Sequence, residues 1–148
     1  MKRTIKRRGF TLTEILIAMA IICILITMST PIFSRAVEQA KLDAAARDLQ
    51  TIWTAQRVYW LDDRSYASYL ATLYQKDLLG SKLVLTEGSL TASYVFSIET
   101  ADDDTFTAVA TRNASNKWSG EIQIDEFGEI TGSISATDGT VLTPMLKN

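Results

Sequence analysis

The chain of 148 residues contains no histidine. A hydrolytic triad relayed through imidazole is therefore excluded, and so is any zinc site that needs a histidine ligand. One cysteine is present, Cys23, so no intrachain disulfide can form. It lies inside an uncharged run and reads as a small apolar packing residue. Only two prolines occur, and neither glycine nor proline interrupts residues 34–66, which leaves that stretch free to be one long helix. Beyond the first eight residues Lys and Arg stand singly. The basic stripe of a nucleic-acid-binding face is missing, and no nucleic-acid partner is expected.

What the sequence does have is concentrated at its start. Lys2, Arg3, Lys6, Arg7 and Arg8 precede Gly9, Phe10 and Glu14, and residues 15–34 carry no charge at all. Twenty helical residues rise about 30 Å, the thickness of a bilayer's hydrocarbon core. Ile15, Leu16, Ile17, Ile21, Ile22, Ile24, Leu25 and Ile26 make the helix apolar all round, so it belongs in lipid or among other helices. Glu14 stands at the edge of this run, where an unpaired carboxylate is costly: insertion scales put it at about 2.5–3.5 kcal/mol at a helix centre and less toward the interface. A cut after Gly9 would place a compensating positive charge on the amino group of Phe10. Pro31 has no N–H for the carbonyl of Thr27, which predicts a kink, with Thr27, Ser29 and Thr30 offering hydroxyls to the freed carbonyls. The basic start favours a cytoplasmic amino end. Removing five of the fifteen basic side chains leaves ten against seventeen acidic ones, a net −7 for the outward-facing remainder.

This segment resembles the class III signal of type IV pilins and pseudopilins. In that family a prepilin peptidase cuts after the glycine, here Gly9, and methylates the new amino terminus, here Phe10. The family's glutamate at the fifth mature position corresponds to Glu14, and its helix-kinking proline to Pro31. The resemblance implies a structural subunit and not an enzyme. Such a subunit waits in the cytoplasmic membrane with its carboxy-terminal domain outside. An assembly ATPase and inner-membrane platform proteins then draw it into a helical filament of like subunits. Glu14 of an incoming copy would meet the amine of its neighbour. Three roles stay open: a filament-forming pilin, a pseudopilin of type II secretion, and a minor pilin that primes assembly. The disulfide loop of many major pilins is missing here. A secretory signal peptide cut within residues 27–31 would leave Glu14 unexplained, and a plain signal anchor would differ only in leader processing and assembly.

The rest of the sequence predicts an α+β fold of the pilin kind. Residues 1–9 are the leader, 10–34 the membrane and assembly helix, 35–65 an amphipathic helix, and 66–148 a connecting region and a small antiparallel sheet. In the amphipathic helix Val37, Ala40, Ala44, Leu49, Ile52, Trp53, Tyr59 and Trp60 form the expected apolar stripe, with Glu38, Lys41, Asp43, Arg47, Asp48 and Arg57 on the other faces. Tyr66, Tyr69, Leu70, Leu73 and Leu78 suggest a short helix or tight loop laid on the core, and Gly80 and Gly88 mark turns. Alternation at Tyr94, Phe96 and Ile98, at Phe106, Ala108 and Ala110, and over residues 121–125 predicts strands joined by hairpins. Ile134 reads as a short edge, and the tail from Asp138 as loose. Asp102, Asp103 and Asp104 are the one calcium candidate, since they offer hard oxygen ligands. Three adjacent aspartates ordinarily form a solvated turn, and no other cofactor is expected. Trp118 reads as a surface contact or as a cap on the sheet, and Asn113 with Ser115 matches a glycosylation acceptor pattern.

Overall fold

A computed structural model describes residues 10–86 and 89–146, apart from the side chains of residues 28–31. Gly9, Gly88 and the side chain of Pro31 lie outside the described residues. The elements are α1 (Leu12–Asp63), α2 (Leu70–Gln75), α3 (Ser81–Val84), β1 (Tyr94–Ala101), β2 (Phe106–Arg112), β3 (Trp118–Asp125), β4 (Ile130–Ala136) and β5 (Val141–Leu142). The long helix and the sheet give an α+β, pilin-like arrangement. The chain divides into two compact units, one ending at Val37 and one beginning at Glu38.

In the first unit every residue whose burial is described is exposed. Ile15, Ile21 and Phe33, for example, leave 52%, 53% and 71% of their surface uncovered. A helix whose apolar surface has no cover within its own subunit must find it in lipid or in other chains. Among the described residues no single helix is long and apolar enough to cross a membrane. The pair Leu12–Thr27 and Ile32–Asp63 meets that test together, by length and composition. Both members are parts of α1, with residues 28–31 between them. Ahead of these residues the Thr27 hydroxyl donates to the Ile24 carbonyl at 2.8 Å.

In the second unit the remainder of α1 supplies one wall of the core. Leu42, Ala45, Ala46, Leu49, Ile52 and Ala55 are buried, whereas Val37, Ala40 and Ala44 are exposed. Leu49 and Ile52 belong to the stripe as expected, with Trp53, Tyr59 and Trp60 packed against it, but its first half is rotated: the buried positions step by four and three through 38, 42, 45, 49, 52 and 56. Glu38 and Gln56, polar at both ends of that stripe, are 4% and 0% exposed. The helix stops where Arg64 takes a left-handed conformation, φ 56°, with its N–H on the Trp60 carbonyl at 2.9 Å.

The sheet is an antiparallel meander in the order β1-β2-β3-β4-β5. Its inner face carries Tyr94, Phe96, Phe106, Ala108, Ala110, Ile122, Ile124, Ile130 and Ile134, all buried in one cluster with the helix. Burying each large side chain contributes about 1.5–3 kcal/mol. The outer face is polar, with Thr111, Ser119, Glu121, Gln123, Thr131, Ser133 and Ser135 exposed. β3 and β4 approach each other closely at Gly120 and Gly132, both exposed, with φ of 125° and 99°. A Cβ at either would lie 2.5 Å from a carbonyl oxygen of the facing strand, Ser133 or Glu121. No other residue fits there.

Trp118 is buried, so it caps the sheet and makes no surface contact. Ile134 lies inside β4, not at an edge, and pairs with Gly120 on one side and Leu142 on the other. The tail is not loose. It forms β5, buries Pro144, and returns to α1, where Asp43 accepts the Met145 N–H at 3.0 Å. The polar anchors in α1 that make this possible cannot be told from solvent-facing residues by hydropathy alone.

Candidate functional site

The amino-terminal turn of α1 brings Phe10, Thr11 and Glu14 together. Thr11 occupies the position before the first helical residue. Its hydroxyl accepts the Glu14 N–H at 3.3 Å, while Glu14 Oε2 accepts the Thr11 N–H and the Thr11 hydroxyl, each at 2.9 Å. This reciprocal pattern is a capping box, in which the side chains of the cap and of the third helical residue satisfy backbone N–H groups that have no helical partner. The carboxylate of Glu14 is thus already engaged within its own subunit. A cut after Gly9 would leave the box intact, because the Thr11 N–H remains a peptide N–H. It would add an amine one residue away. The spacing Thr11-x-x-Glu14 is the sequence signal for this box.

The aspartate cluster behaves differently. Asp102 Oδ1 accepts the N–H groups of Asp104 and Thr105 at 2.9 and 2.7 Å, and both its oxygens accept the Thr105 hydroxyl. The backbone N–H of Thr105, and then that of Asp104, hold this carboxyl below the usual range. The Asp102 carbonyl takes the Tyr66 N–H at 2.8 Å, and the Asp103 carbonyl takes the Trp60 indole N–H at 2.8 Å. A second indole, Trp53, donates to the Glu126 carbonyl at 3.0 Å. Both tryptophans of α1 therefore fasten the helix to hairpin turns. Among the described residues no group of three or more Asp, Glu or Cys side chains converges as a metal site would require. The Asn113 side-chain amide donates to the Ser89 carbonyl at 2.7 Å, which ties it into the fold.

Sequence reasoning missed a buried polar centre. Glu38 and Arg112 form an ion pair whose side chains are 5% and 4% exposed. The guanidinium meets the carboxylate through Nε and, at 3.2 Å, through Nη2, while Nη1 donates to the carbonyls of Ser93, at 2.7 Å, and Asn113. It also lies 5.5 Å from the centre of the Tyr94 ring. Burial, and after it the charge of Glu38, pushes the Tyr94 hydroxyl well above its ordinary range. The four-three stepping of the buried stripe is the signal that would have found Glu38.

Residues 5–30 match the family described as the prokaryotic N-terminal methylation motif. The chain carries the prepilin-type signature of type IV pilins and pseudopilins. Proteins with this motif are structural pilin-like subunits rather than enzymes. No curated protein matches the sequence significantly.

Proposed function

We propose that the protein is a type IV pilin-like subunit of an extracytoplasmic helical filament. Prepilin peptidase cuts it between Gly9 and Phe10 and methylates Phe10. It waits in the cytoplasmic membrane with its amino end inside. Assembly, driven by an ATPase through inner-membrane platform proteins, replaces the lipid around its first helix with the helices of other copies. The observation that carries this reading is the largely apolar helix up to Val37, exposed at every residue whose burial is described, ahead of a compact unit that buries its own core. That surface needs cover that a single subunit does not provide. The motif supplies the chemistry of processing. A subunit with its sheet outermost would present the hydroxyl-rich face of β3 and β4 to solvent.

Intact mass of the protein from its native host tests the proposal. The expected chain begins at Phe10 with one added methyl, and Gly9→Val abolishes the cut, because glycine leaves room for close backbone approach. Sheared surface fractions should contain the mature chain. A mature chain beginning at Met1, or after residues 27–31, would overturn the reading.

A further inference from the structure

We propose that Glu38 and Arg112, together with the carboxy-terminal tail, form a collar that stops the unravelling of α1. The turns ahead of Glu38 can unwind without disturbing the domain, and those behind it stay folded.

The case begins with a change in environment within one helical turn. Residues 32–37 are exposed, Glu38 is buried and Leu42 is fully buried. Just ahead of Glu38, residues 32–37 have no cover within the subunit, and exposed turns open at low cost. From Glu38 onward two distant segments take hold, the end of β2 and the carboxy-terminal tail. Arg112, at the end of β2, clasps the carboxylate and fixes itself to the carbonyls of Ser93 and Asn113. Gln39 donates to the tail carbonyl of Thr143 at 3.1 Å and to Asp43 at 3.1 Å. Asp43 in turn accepts the tail N–H of Met145. Lys41 adds a contact to Glu38 at 3.5 Å.

The hydrogen-bond pattern of a helix gives this arrangement a sharp consequence. The N–H groups of residues 42–46 bond to the carbonyls of residues 38–42. They lose those partners only if the collared residues leave the helix. For that to happen Glu38 must separate from Arg112 and leave the buried guanidinium without its carboxylate, which is far costlier than opening an exposed turn. A planar guanidinium suits the task because a single group binds the helix and two loops at once.

Hydrogen exchange of the full chain in detergent micelles, read by mass spectrometry, tests this. In the wild type the amides of residues 42–46 should exchange with those of the core, and the amides of residues 32–37 much faster. Arg112→Met should speed exchange of residues 42–46 by roughly tenfold or more while leaving residues 49–60 and β3 unchanged. Arg112→Lys keeps the charge but loses the fork, and should give a smaller change in the same residues. Lys82→Ala removes an exposed ion pair to Asp48 and should change neither region. If Arg112→Met does not fold, Arg112→Lys decides the matter alone. Wild-type exchange at residues 42–46 in the variants overturns the proposal. So does a uniform rise across the whole domain, which would make the pair an ordinary contributor to global stability.

Discussion

Replacing Glu14 with glutamine separates two roles that alanine removes together. The capping box needs an acceptor at the third helical position, and glutamine supplies one as glutamate does. Only the charge is lost. Loss of a helix cap costs about 0.5–2 kcal/mol. An amine left without its carboxylate in a low-dielectric bundle costs about 3–5 kcal/mol, and at about 1.4 kcal/mol per tenfold the lower figure already exceeds a hundredfold for each subunit contact. If Glu14 pairs with the Phe10 amine of a neighbour, Glu14→Gln and Glu14→Ala should both enter the membrane, lose the leader normally and yield at least roughly a hundredfold fewer filaments. If Glu14 serves only to cap its own helix, as its bonds to Thr11 in the single subunit permit, Glu14→Gln should assemble almost as the wild type does and Glu14→Ala only slightly worse. Immunoblots of sheared and membrane fractions, with intact mass to check processing, give the answer. A wild-type filament yield from Glu14→Gln would refute the charge-pairing argument.

Three further outcomes are expected. The fragment from Arg35 to Asn148, with ten basic and sixteen acidic side chains, should be soluble and monomeric in sedimentation at moderate salt; stable oligomers would place an interface on the sheet. In that fragment Gln56→Leu would strand both the N–H and the carbonyl of Ala67, which Gln56 now pairs at 2.9 and 2.8 Å. At about 1–3 kcal/mol for each buried unpaired group, and roughly 4 °C or more per kcal/mol in a domain of this size, the melting midpoint should fall by about 10 °C or more, and an unchanged melt by circular dichroism would contradict the assignment. Acid should destabilise the fragment from about pH 4 downward: Thr140, through its hydroxyl and its backbone N–H, holds the Asp138 carboxyl down at about 2, below its unfolded value, so the stabilisation is complete above the unfolded pKa and disappears as pH falls through the folded one; urea midpoints that stay level down to pH 2 would count against it.

How much of this could be read beforehand depends on the kind of signal. The apolar run and the spacing of Gly9, Phe10 and Glu14 are local patterns, and they stand in the sequence without any tertiary information. Strand alternation at Tyr94, Phe96 and Ile98 and at Phe106, Ala108 and Ala110 predicted β1 and β2 because one side of the sheet is wet and the other dry. The second half of the stripe of α1, from Leu49 to Trp60, was legible, but its first half was misplaced because Ala40 and Ala44 look like Ala45 and Ala46 to any hydropathy count, and because Glu38, like Gln56 further on, looks like a solvent-facing residue. The burial of these two follows from partners outside the helix, Arg112 for Glu38, 74 positions away, and Ala67 for Gln56, 11 positions away. The tail failed for the same reason: β5 has only two residues, too few for a period, and its hold on Asp43 spans about a hundred positions.

The borders of the sheet bear on how such a protein survives crowding. An open strand edge is a template for another chain, and many copies stored side by side would risk fusing through their sheets. Both borders here are blunted. β5 ends the sheet after two residues, and β1 slips register between Ile98 and Thr100, a break that twists an edge away from a straight partner. Near the other end of β1 the Thr86 hydroxyl reaches the Phe96 N–H at 3.4 Å, so that donor does not face outward unclaimed. Sheet-to-sheet aggregation is thereby discouraged at both sides of the domain, which in the proposed filament would leave assembly to the apolar helix up to Val37.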